Sequence, residues 1–409
     1  MRKKDTSFTY IDLFSGCGGL ALGMHNAGWK ALFSIEKNED AFNTQKCNLI
    51  DQNNHFLWPK WLPQSVHDIN ELLIAHQKEL GELSGTVMLV AGGPPCQGFS
   101  SAGRRDESDT RNTLVDSYLR FVDLVQPCSL LFENVRGFTQ SFKSNGEQSG
   151  KKYSDYILTE LCNRGYAVEA RMLDFSKFGV PQRRVRFILF ASKTLDPNLF
   201  FTTLESNVKP FLKRKNLPQT VCIKSALSDL EKCNGQTDCP DSKGFKSGKY
   251  GSPQNSYQRY CRNHARKGDI PDSHRFAKHR CDTVSRFRKL LDLGVTDRNI
   301  SHLLKDEYKI KKNCFSVLNA NAPAPTLTSN PDDHIHYSEP RTLTVREYAR
   351  IQSFPDWYKF KGKYTTGGDC RKVDVPRYTQ IGNAIPPLFA EQVGLTIKQL
   401  VKNQGENSE

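Results

Sequence analysis

Hydrophobic and polar positions alternate in two distinct ways along the first half of the chain. Short apolar runs, rich in β-branched and aromatic residues, predict strands at 8–14, 30–35, 86–91, 129–132, 167–174 and 185–190. Apolar residues at helical spacing predict helices between them, at 18–27, 40–49, 114–125 and 153–164. This strand–helix alternation predicts an α/β fold with a doubly wound, mostly parallel sheet that is covered by helices on both faces.

The alternation stops near residue 195, where short polar stretches take over until about residue 340. Helical spacing returns at 344–351 and again at 388–400. These changes predict a first domain at 1–194, a second, smaller and loop-rich domain at 195–340, and a C-terminal segment at 341–409.

Positive charge is concentrated in the middle of the chain. The net charge is +14, and residues 191–330 hold 25 basic against 13 acidic residues. Residues 1–190 hold 22 basic and 21 acidic residues, and residues 331–409 hold 11 and 10. Because Lys and Arg neutralise phosphates and release their counterions, this stretch indicates a polyanionic partner such as nucleic acid. A solvated surface without such a partner is the alternative interpretation.

Composition excludes several classes of protein. The chain is 37% hydrophobic and 10% aromatic, which excludes a wholly disordered chain. Its apolar runs fall well short of the ~18 residues that a membrane span needs, and its first residues do not resemble a signal peptide. The 12 cysteines include several within apolar runs, which is typical of reduced, buried thiols. We therefore expect a cytoplasmic protein with no membrane association.

A glycine-rich turn joins the first strand to the first helix. Gly16, Gly18 and Gly19 let the backbone approach a ligand, and the helix start supplies free N–H groups. Glu36 follows the second strand, where a carboxylate can hold a ribose diol. The spacing favours a nucleotide-type cofactor, although it is not the G-x-G-x-x-G of NAD or FAD sites. A tight turn with no ligand is the alternative.

Cys96 follows two glycines and two prolines at the end of a predicted buried strand. The carboxyl ends of parallel strands form the ligand crevice of such a sheet, and a thiol there is a candidate nucleophile. A metal ligand or a bystander is the alternative. Glu133 directly follows the strand at 129–132, so it is expected at the same edge, where it can exchange a proton near Cys96. Taken alone, a helix N-cap or a surface charge is the favoured explanation of Glu133.

Arginines precede the last predicted strand of the first half. Alternation along 182–190 puts Arg184 and Arg186 on one side of this strand and Arg183 on the other. Two guanidinium groups on one side can bind a phosphate or a substrate carbonyl. A salt-bridged strand edge is the alternative.

Six segments, in this order, resemble the motifs of the DNA (cytosine-5) methyltransferase family, in its stand-alone bacterial restriction–modification form. They are Asp-Leu-Phe-Ser-Gly-Cys-Gly-Gly at 12–19, Gly-Pro-Pro-Cys-Gln-Gly-Phe-Ser at 93–100, Glu-Asn-Val at 133–135, Gln-Arg-Arg-Val-Arg at 182–186, Arg-Glu-Tyr-Ala-Arg-Ile-Gln-Ser-Phe-Pro at 346–355 and Gln-Ile-Gly-Asn-Ala-Ile-Pro-Pro at 380–387. The resemblance spans most of the chain outside the middle domain, and the ordered set is far more specific than any one motif.

The resemblance implies methyl transfer from S-adenosylmethionine to C5 of a cytosine that is flipped out of a specific duplex DNA sequence. It implies that Cys96 attacks C6, that Glu133 holds N3 and the exocyclic amine and supplies a proton, and that Arg186 and Arg184 neutralise charge near O2 or the neighbouring phosphate. The expected partner is double-stranded DNA, bound by a monomer in the bacterial cytoplasm at the nucleoid. A cognate restriction endonuclease would act on the same site without forming a stable complex.

The resemblance also assigns binding residues. The residues implied for S-adenosylmethionine are Phe14, Ser15, Gly16, Cys17, Gly18, Gly19, Leu20, Glu36, Asp68, Ile69, Pro94, Asn383 and Ala384. The expected DNA contacts are Gln97, Ser100, Arg104, Arg105 and Arg111. From its position and charge, we expect the loop at 101–111 to close over the flipped base. The last helix is expected to return to the first domain, which brings Asn383 to the cofactor, and residues 195–340 become a target-recognition domain.

No metal site is expected, because Cys261-x-x-His264 and His279-x-Cys281 lack the paired spacing of a zinc finger. Three other functions compete with DNA methylation. They are a transfer RNA methylase of the same family, a catalytically dead DNA-binding homologue and a nicotinamide-dependent oxidoreductase. The residues after Cys96 and the size of the middle domain favour DNA over RNA, and the intact Cys96 and Glu133 disfavour a dead homologue.

Overall fold

A computed structural model describes residues 8–95, 113–140, 152–263, 265–299, 315–366 and 374–406. The chain divides into two compact units. The described part of the first unit is 8–95, 113–140, 152–174, 185–208 and 390–406, and that of the second is 175–184, 209–263, 265–299, 315–366 and 374–389. Each unit is therefore built from separate stretches of chain. The domain boundaries proposed at 194 and 340 stay predictions.

The first unit contains a six-stranded sheet. Its strands are β1 (Thr9–Leu13), β2 (Lys30–Ile35), β3 (Leu89–Gly92), β4 (Ser129–Val135), β5 (Ala167–Asp174) and β6 (Val185–Ser192). They lie in the order β2-β1-β3-β4-β6-β5. The first four are parallel, and β6 runs antiparallel to both β4 and β5. The predicted α/β fold with a mostly parallel sheet is confirmed.

Helices alternate with these strands in the described residues, at the four predicted positions and at three others. They are α1 (Gly19–Asn26), α2 (Glu39–Gln45), α3 (Ile69–Ala75), α4 (Gln77–Glu82), α5 (Thr113–Val125), α6 (Tyr153–Asn163) and α7 (Pro197–Arg214). A π-helical turn at Lys46–Ile50 extends α2, so the pattern at 40–49 covers two kinds of helix. The short strands β1 and β3 are buried along their whole length, as expected for strands inside a parallel sheet.

The second unit consists of short elements. Its helices are α8 (Ile223–Leu227), α9 (Ser256–Arg262), α10 (Cys281–Asp292), α11 (Val345–Ile351) and α12 (Arg377–Asn383). Its strands are β7 (Gln236–Asp238) and β8 (Lys246–Gly248), which are antiparallel, and β9 (Ser316–Val317) and β10 (His334–Ile335), which are parallel. Few long apolar runs exist here, so the sequence shows little periodicity.

Buried ion pairs hold α11 in the second unit. Every residue of this helix is buried, although it contains two arginines and a glutamate. The Arg350 guanidinium pairs with Asp356 at 2.6 Å and also with Asp229. Arg341 pairs with Glu347 at 2.7 Å. These arginines lower the pKa of Asp356 and of Glu347 against the opposing effect of burial. Each buried charge is thereby compensated, as a charge inside a protein must be.

The last helix, α13 (Pro387–Glu406), returns to the first unit through residues 390–406. The Trp29 indole N–H donates to the carbonyl of Gly394 at 3.0 Å, and the Lys398 ammonium donates to the carbonyl of Ala27 at 3.0 Å. A Cβ at Gly394 would lie 2.8 Å from that of Ala27. A glycine is therefore needed where α13 passes the end of α1. None of the described helices is long and apolar enough to span a bilayer.

Candidate active site

The turn after β1 has a backbone that only a glycine-rich sequence adopts easily. Gly16 and Gly18 have φ values of 56° and 84°, in the left-handed region. Phe14 shares this conformation with φ 57°, which is unusual for a bulky residue and indicates a constrained turn. Gly18 sits at the N-cap of α1, and no side chain caps this end of the helix.

Glu36 lies at the end of β2 and reaches across to this turn. Its carboxylate accepts the N–H of Gly16 at 2.8 Å and the N–H of Asn38 at 2.7 Å. Burial raises the pKa of Glu36 in spite of these bonds. The carboxylate is thus held in one orientation beside the glycine turn, as a ligand-binding acid needs to be.

Asp12 is a second acid at this edge, and it was not singled out from the sequence. Its side chain is buried on β1, and its Oδ2 accepts no hydrogen bond from the described residues. Burial first, and then the nearby Glu36, raises its pKa well above the usual value. An unpaired buried carboxyl oxygen normally requires a partner such as a ligand or ordered water. The sequence did give one indication of Asp12, namely a charged residue inside a predicted strand. The structure shows that this strand is fully buried.

Asp68 and Ile69 start α3 close to Glu36. The N–H of His67 donates to the Glu36 carbonyl at 2.9 Å, which ties this loop to the end of β2. The Asp68 carboxylate caps α3 by accepting the N–H of Asn70 at 2.8 Å, and Ile69 is buried. The structure therefore brings Asp68 and Ile69 to the same edge of the sheet as the glycine turn.

Other residues predicted for the cofactor differ in exposure. Ser15, Cys17, Gly18, Gly19 and Leu20 are buried, and Phe14 and Gly16 are partly buried. Burial raises the pKa of the Cys17 thiol to about 12, so this cysteine is a poor nucleophile at neutral pH. The Ser15 hydroxyl donates to Gln45 Oε1 at 3.3 Å. These residues shape the turn mainly through their backbone.

Glu133 and Arg186 face each other across β4 and β6. The sequence places Glu133 just after a strand, whereas the structure extends β4 to Val135 and includes it. In the antiparallel register Val135 lies opposite Arg186 and Glu133 lies opposite Ile188. Arg186 Nε is 3.1 Å from Glu133 Oε1, and the two side chains are only 11% and 13% exposed. An ion pair in this setting is little screened by solvent.

The segment that leads to Cys96 lies against Glu133. A Cβ at Gly93 would be 2.9 Å from the Glu133 carbonyl oxygen and 3.1 Å from its Oε2. The Asn134 amide donates to the carbonyl of Pro94 at 3.4 Å. Gly93 and Pro94 therefore lie against Glu133, which the sequence predicts to exchange a proton, and against its neighbour Asn134.

Some predicted site residues are outside this arrangement. Arg184, Asn383 and Ala384 belong to the second unit. The alternation of side chains along a strand predicts that Arg184 and Arg186 share one side. β6 begins at Val185, so Arg184 is not part of the strand and this rule does not apply to it. Arg184 is buried, Asn383 is exposed and Ala384 is partly buried. The predicted nucleophile and DNA-contacting residues lie outside the described residues, namely Cys96, Gln97, Ser100, Arg104, Arg105 and Arg111.

The described residues contain no group of three or more His, Cys, Asp or Glu side chains that could hold a metal ion. Cys261 is fully buried, and burial raises the pKa of its thiol. His264 is outside the described part of the chain.

Comparison with known proteins identifies relatives along nearly the whole chain. The family model for C-5 cytosine-specific DNA methylases matches residues 8–399. Type II methyltransferase M.DdeI of Desulfomicrobium norvegicum is 32% identical over 96% of this chain and 89% of its own. Type II methyltransferase M1.HphI of Haemophilus parahaemolyticus is 30% identical over 97% of this chain and 88% of its own.

Solved structures share the fold at lower identity. A putative DNA modification methyltransferase encoded within a prophage of E. coli superposes with a TM-score of 0.67 at 24% identity, covering 97% of this chain and all (100%) of the other. The Dnmt2 methyltransferase of S. pombe gives a TM-score of 0.54 at 16% identity, covering 97% of this chain and 99% of the other. At these identities the structural likeness establishes the fold alone.

Proposed function

The chain belongs to the C-5 cytosine-specific DNA methylase family, and from this membership we propose how its residues carry out the reaction. It is a DNA (cytosine-5)-methyltransferase that uses S-adenosylmethionine as its methyl donor. We further propose that it is the modification enzyme of a type II restriction–modification system. The names of its relatives M.DdeI and M1.HphI, both type II methyltransferases, support this role.

The glycine turn and the acids around it suit S-adenosylmethionine. When bound, this cofactor supplies a methyl group on a positively charged sulfur. Asp12 and Glu36 place carboxyl oxygens beside the turn, where a ligand can donate hydrogen bonds to them. The Glu36 carboxylate, already oriented by two backbone N–H groups, would accept the ribose hydroxyls. Asp68 and Ile69 would contact the adenine.

The remaining cofactor contacts are proposed from the motifs. They are Phe14, Ser15, Gly16, Cys17, Gly18, Gly19 and Leu20 of the turn, Pro94 before Cys96, and Asn383 with Ala384. The left-handed backbone of the turn and the uncapped start of α1 support the first group, because they expose N–H groups at the edge of the sheet.

In the proposed reaction the Cys96 thiolate adds to C6 of the flipped cytosine. Glu133 binds N3 and the exocyclic amine and supplies the proton that N3 gains as C6 is attacked. Arg186 holds the Glu133 carboxylate and compensates charge near the base, with Arg184 as a second guanidinium. After C5 has gained the methyl group, a base that the sequence does not identify removes the C5 proton, Cys96 leaves as a thiolate, and N3 returns its proton to Glu133. The observation that carries this proposal is the Glu133–Arg186 pair, packed against the Gly93-Pro94 segment that leads to Cys96.

Residues 195–340 would read the DNA sequence. Most of the excess positive charge lies in 191–330, which supports phosphate contacts there. Gln97, Ser100, Arg104, Arg105 and Arg111 would contact DNA beside the flipped base. We propose that the enzyme acts as a monomer in the cytoplasm at the nucleoid, and that a cognate endonuclease, where present, recognises the same site independently.

Labelled S-adenosylmethionine separates this proposal from its rivals. We expect the purified chain to transfer label to duplex DNA and not to transfer RNA. Label in RNA alone would overturn the DNA assignment, and label in neither would favour a catalytically dead homologue. Bisulfite sequencing of DNA from cells that express the chain should then show protected cytosines within one short sequence. Protection spread over unrelated sequences would contradict the restriction–modification role.

Replacing Gly93 with alanine should impair catalysis more than stability. The added methyl group would meet the Glu133 carbonyl oxygen, which is part of β4 and cannot move freely. A displacement of Glu133 of this kind is expected to lower kcat by about tenfold to a hundredfold. The matched control is Gly81→Ala in α4, where an added Cβ would meet nothing within 4 Å. Equal kcat in both variants would show that Gly93 does not position Glu133.

A further inference from the structure

Two buried glutamine amides form a hydrogen-bonded chain in the second unit. Gln182 Nε2 donates to Gln352 Oε1 at 2.9 Å. The N–H of Leu327 donates to Gln182 Oε1 at 2.9 Å. Gln352 Nε2 donates to the carbonyls of Ile381, at 2.8 Å, and of Ala384, at 3.3 Å. Neither glutamine has any exposed surface, so both amides depend on these partners.

The backbone groups at the two ends determine the orientation of both amides. The Leu327 N–H can only donate, so the Gln182 amide must present its oxygen to it. The carbonyls of Ile381 and Ala384 can only accept, so Gln352 must present its nitrogen to them. Only one arrangement of the two amides satisfies both ends at once. Loss of either amide therefore leaves the other incompletely bonded.

The turn that Gln352 contacts carries Asn383 and Ala384. On its C-terminal side, the N–H of Leu388 donates to the Ser353 hydroxyl at 3.1 Å. Ser353 itself has φ 62°, in the left-handed region. On the other side, a Cβ at Gly382 would lie 2.8 Å from a backbone carbonyl oxygen. The backbone of this turn is thus held by buried contacts while the Asn383 side chain is exposed.

The opposite end of the amide chain belongs to the arginine segment. The N–H of Arg184 donates to the Gln182 carbonyl at 3.0 Å, and the N–H of Arg183 donates to the Ala324 carbonyl at 2.8 Å. The side chain of Gln182 therefore links the backbone that carries Arg184 to Gln352, 170 residues further along the chain.

We propose that Gln352 is a positioning residue for S-adenosylmethionine binding and that Gln182 orients it. The Gln352 amide preforms the Asn383–Ala384 turn, so little conformational entropy is lost when the turn meets its ligand. Gln182 connects this turn to the segment that bears Arg184. The inference rests on the assignment of Asn383 and Ala384 to the cofactor in the proposed function.

The test replaces Gln352 with methionine, which has a similar volume and no strong hydrogen-bonding group. We expect the Kd for S-adenosylmethionine, measured by equilibrium dialysis without DNA, to rise about tenfold. The KM for S-adenosylmethionine should rise in parallel, with less change in the KM for DNA. The matched control is Gln258→Met. Gln258 lies on α9, and its buried amide donates to the Ser228 hydroxyl at 2.8 Å. Thermal unfolding of both variants accounts for any general loss of stability.

A second variant tests the chain itself. Gln182→Met removes the partner of the Gln352 oxygen and leaves the bonds from Gln352 to Ile381 and Ala384 in place. We expect it to weaken S-adenosylmethionine binding in the same direction, and the double variant to bind no worse than Gln352→Met alone, because the two amides act as one unit. Should Gln352→Met fail to fold, Gln182→Met still decides the question.

Two outcomes have different meanings. If both variants bind S-adenosylmethionine as tightly as Gln258→Met, the positioning role is wrong while the proposed function stands. If the wild-type enzyme binds no S-adenosylmethionine, the proposed function is itself wrong, and the positioning role goes with it.

Discussion

Changing Cys96 to serine is expected to abolish methyl transfer and to leave the binding of S-adenosylmethionine intact. A serine hydroxyl at neutral pH is a far weaker nucleophile than a thiolate, so the addition to C6 should fail. Removing a nucleophile commonly lowers kcat by roughly 10⁴-fold or more. Single-turnover transfer of label to duplex DNA measures this rate, and equilibrium dialysis measures cofactor binding.

The control for this change is Cys162→Ser. Cys162 is an exposed thiol on α6, and we expect its replacement to leave turnover unchanged. A duplex that carries 5-fluorocytosine at the target should form a stable adduct with the wild-type enzyme, because fluorine at C5 blocks the final elimination. Mass spectrometry should locate the adduct on Cys96. An adduct elsewhere, or appreciable turnover by Cys96→Ser, would remove Cys96 from the mechanism.

Changing Glu133 to glutamine should slow the chemical step with little effect on DNA affinity. A neutral amide cannot supply the proton to N3, and it also leaves Arg186, now 3.1 Å from Glu133 Oε1, without its charged partner. Loss of a general acid typically costs about 10²-fold to 10⁴-fold in rate. The single-turnover rate and the Kd for duplex DNA separate the two effects.

Glu160→Gln is the matched control for Glu133→Gln. Glu160 pairs with Arg164 at 2.6 Å, and both side chains are more exposed than the Glu133–Arg186 pair. We expect its loss to leave the transfer rate unchanged, since exposed ion pairs contribute little. A Glu133→Gln enzyme that binds DNA poorly but transfers methyl at the normal rate would make Glu133 a positioning residue.

The hydrophobic pattern predicted most of the first unit, because strands and helices there are long enough to repeat their periods. β2 and β5 have the predicted bounds at both ends. Thr344 caps α11 with a full capping box, and this explains why the helical pattern at 344–351 starts where it does. Local rules of this kind need no knowledge of distant contacts.

The features that the hydrophobic pattern did not predict depend on tertiary contacts. The extension of β4 through Glu133 depends on its antiparallel pairing with β6, which is far along the chain. Arg184 lies just before β6, in a segment where the Arg183 N–H donates to the Ala324 carbonyl. Periodicity within a single segment contains no information on such pairings. Asp12 could have been found, since a carboxylate in a strand predicted to be buried requires a partner.

The return of α13 to the first unit affects the order in which the protein can mature on the ribosome. The Trp29 indole donates to the carbonyl of Gly394, which is synthesised 365 residues later. This hydrogen bond therefore cannot form until the end of the chain has been made. Translation proceeds at about 5–20 residues per second, so the wait lasts tens of seconds. During this time the face of α1 that α13 covers is open to chaperones, and truncations before residue 390 should leave it permanently uncovered.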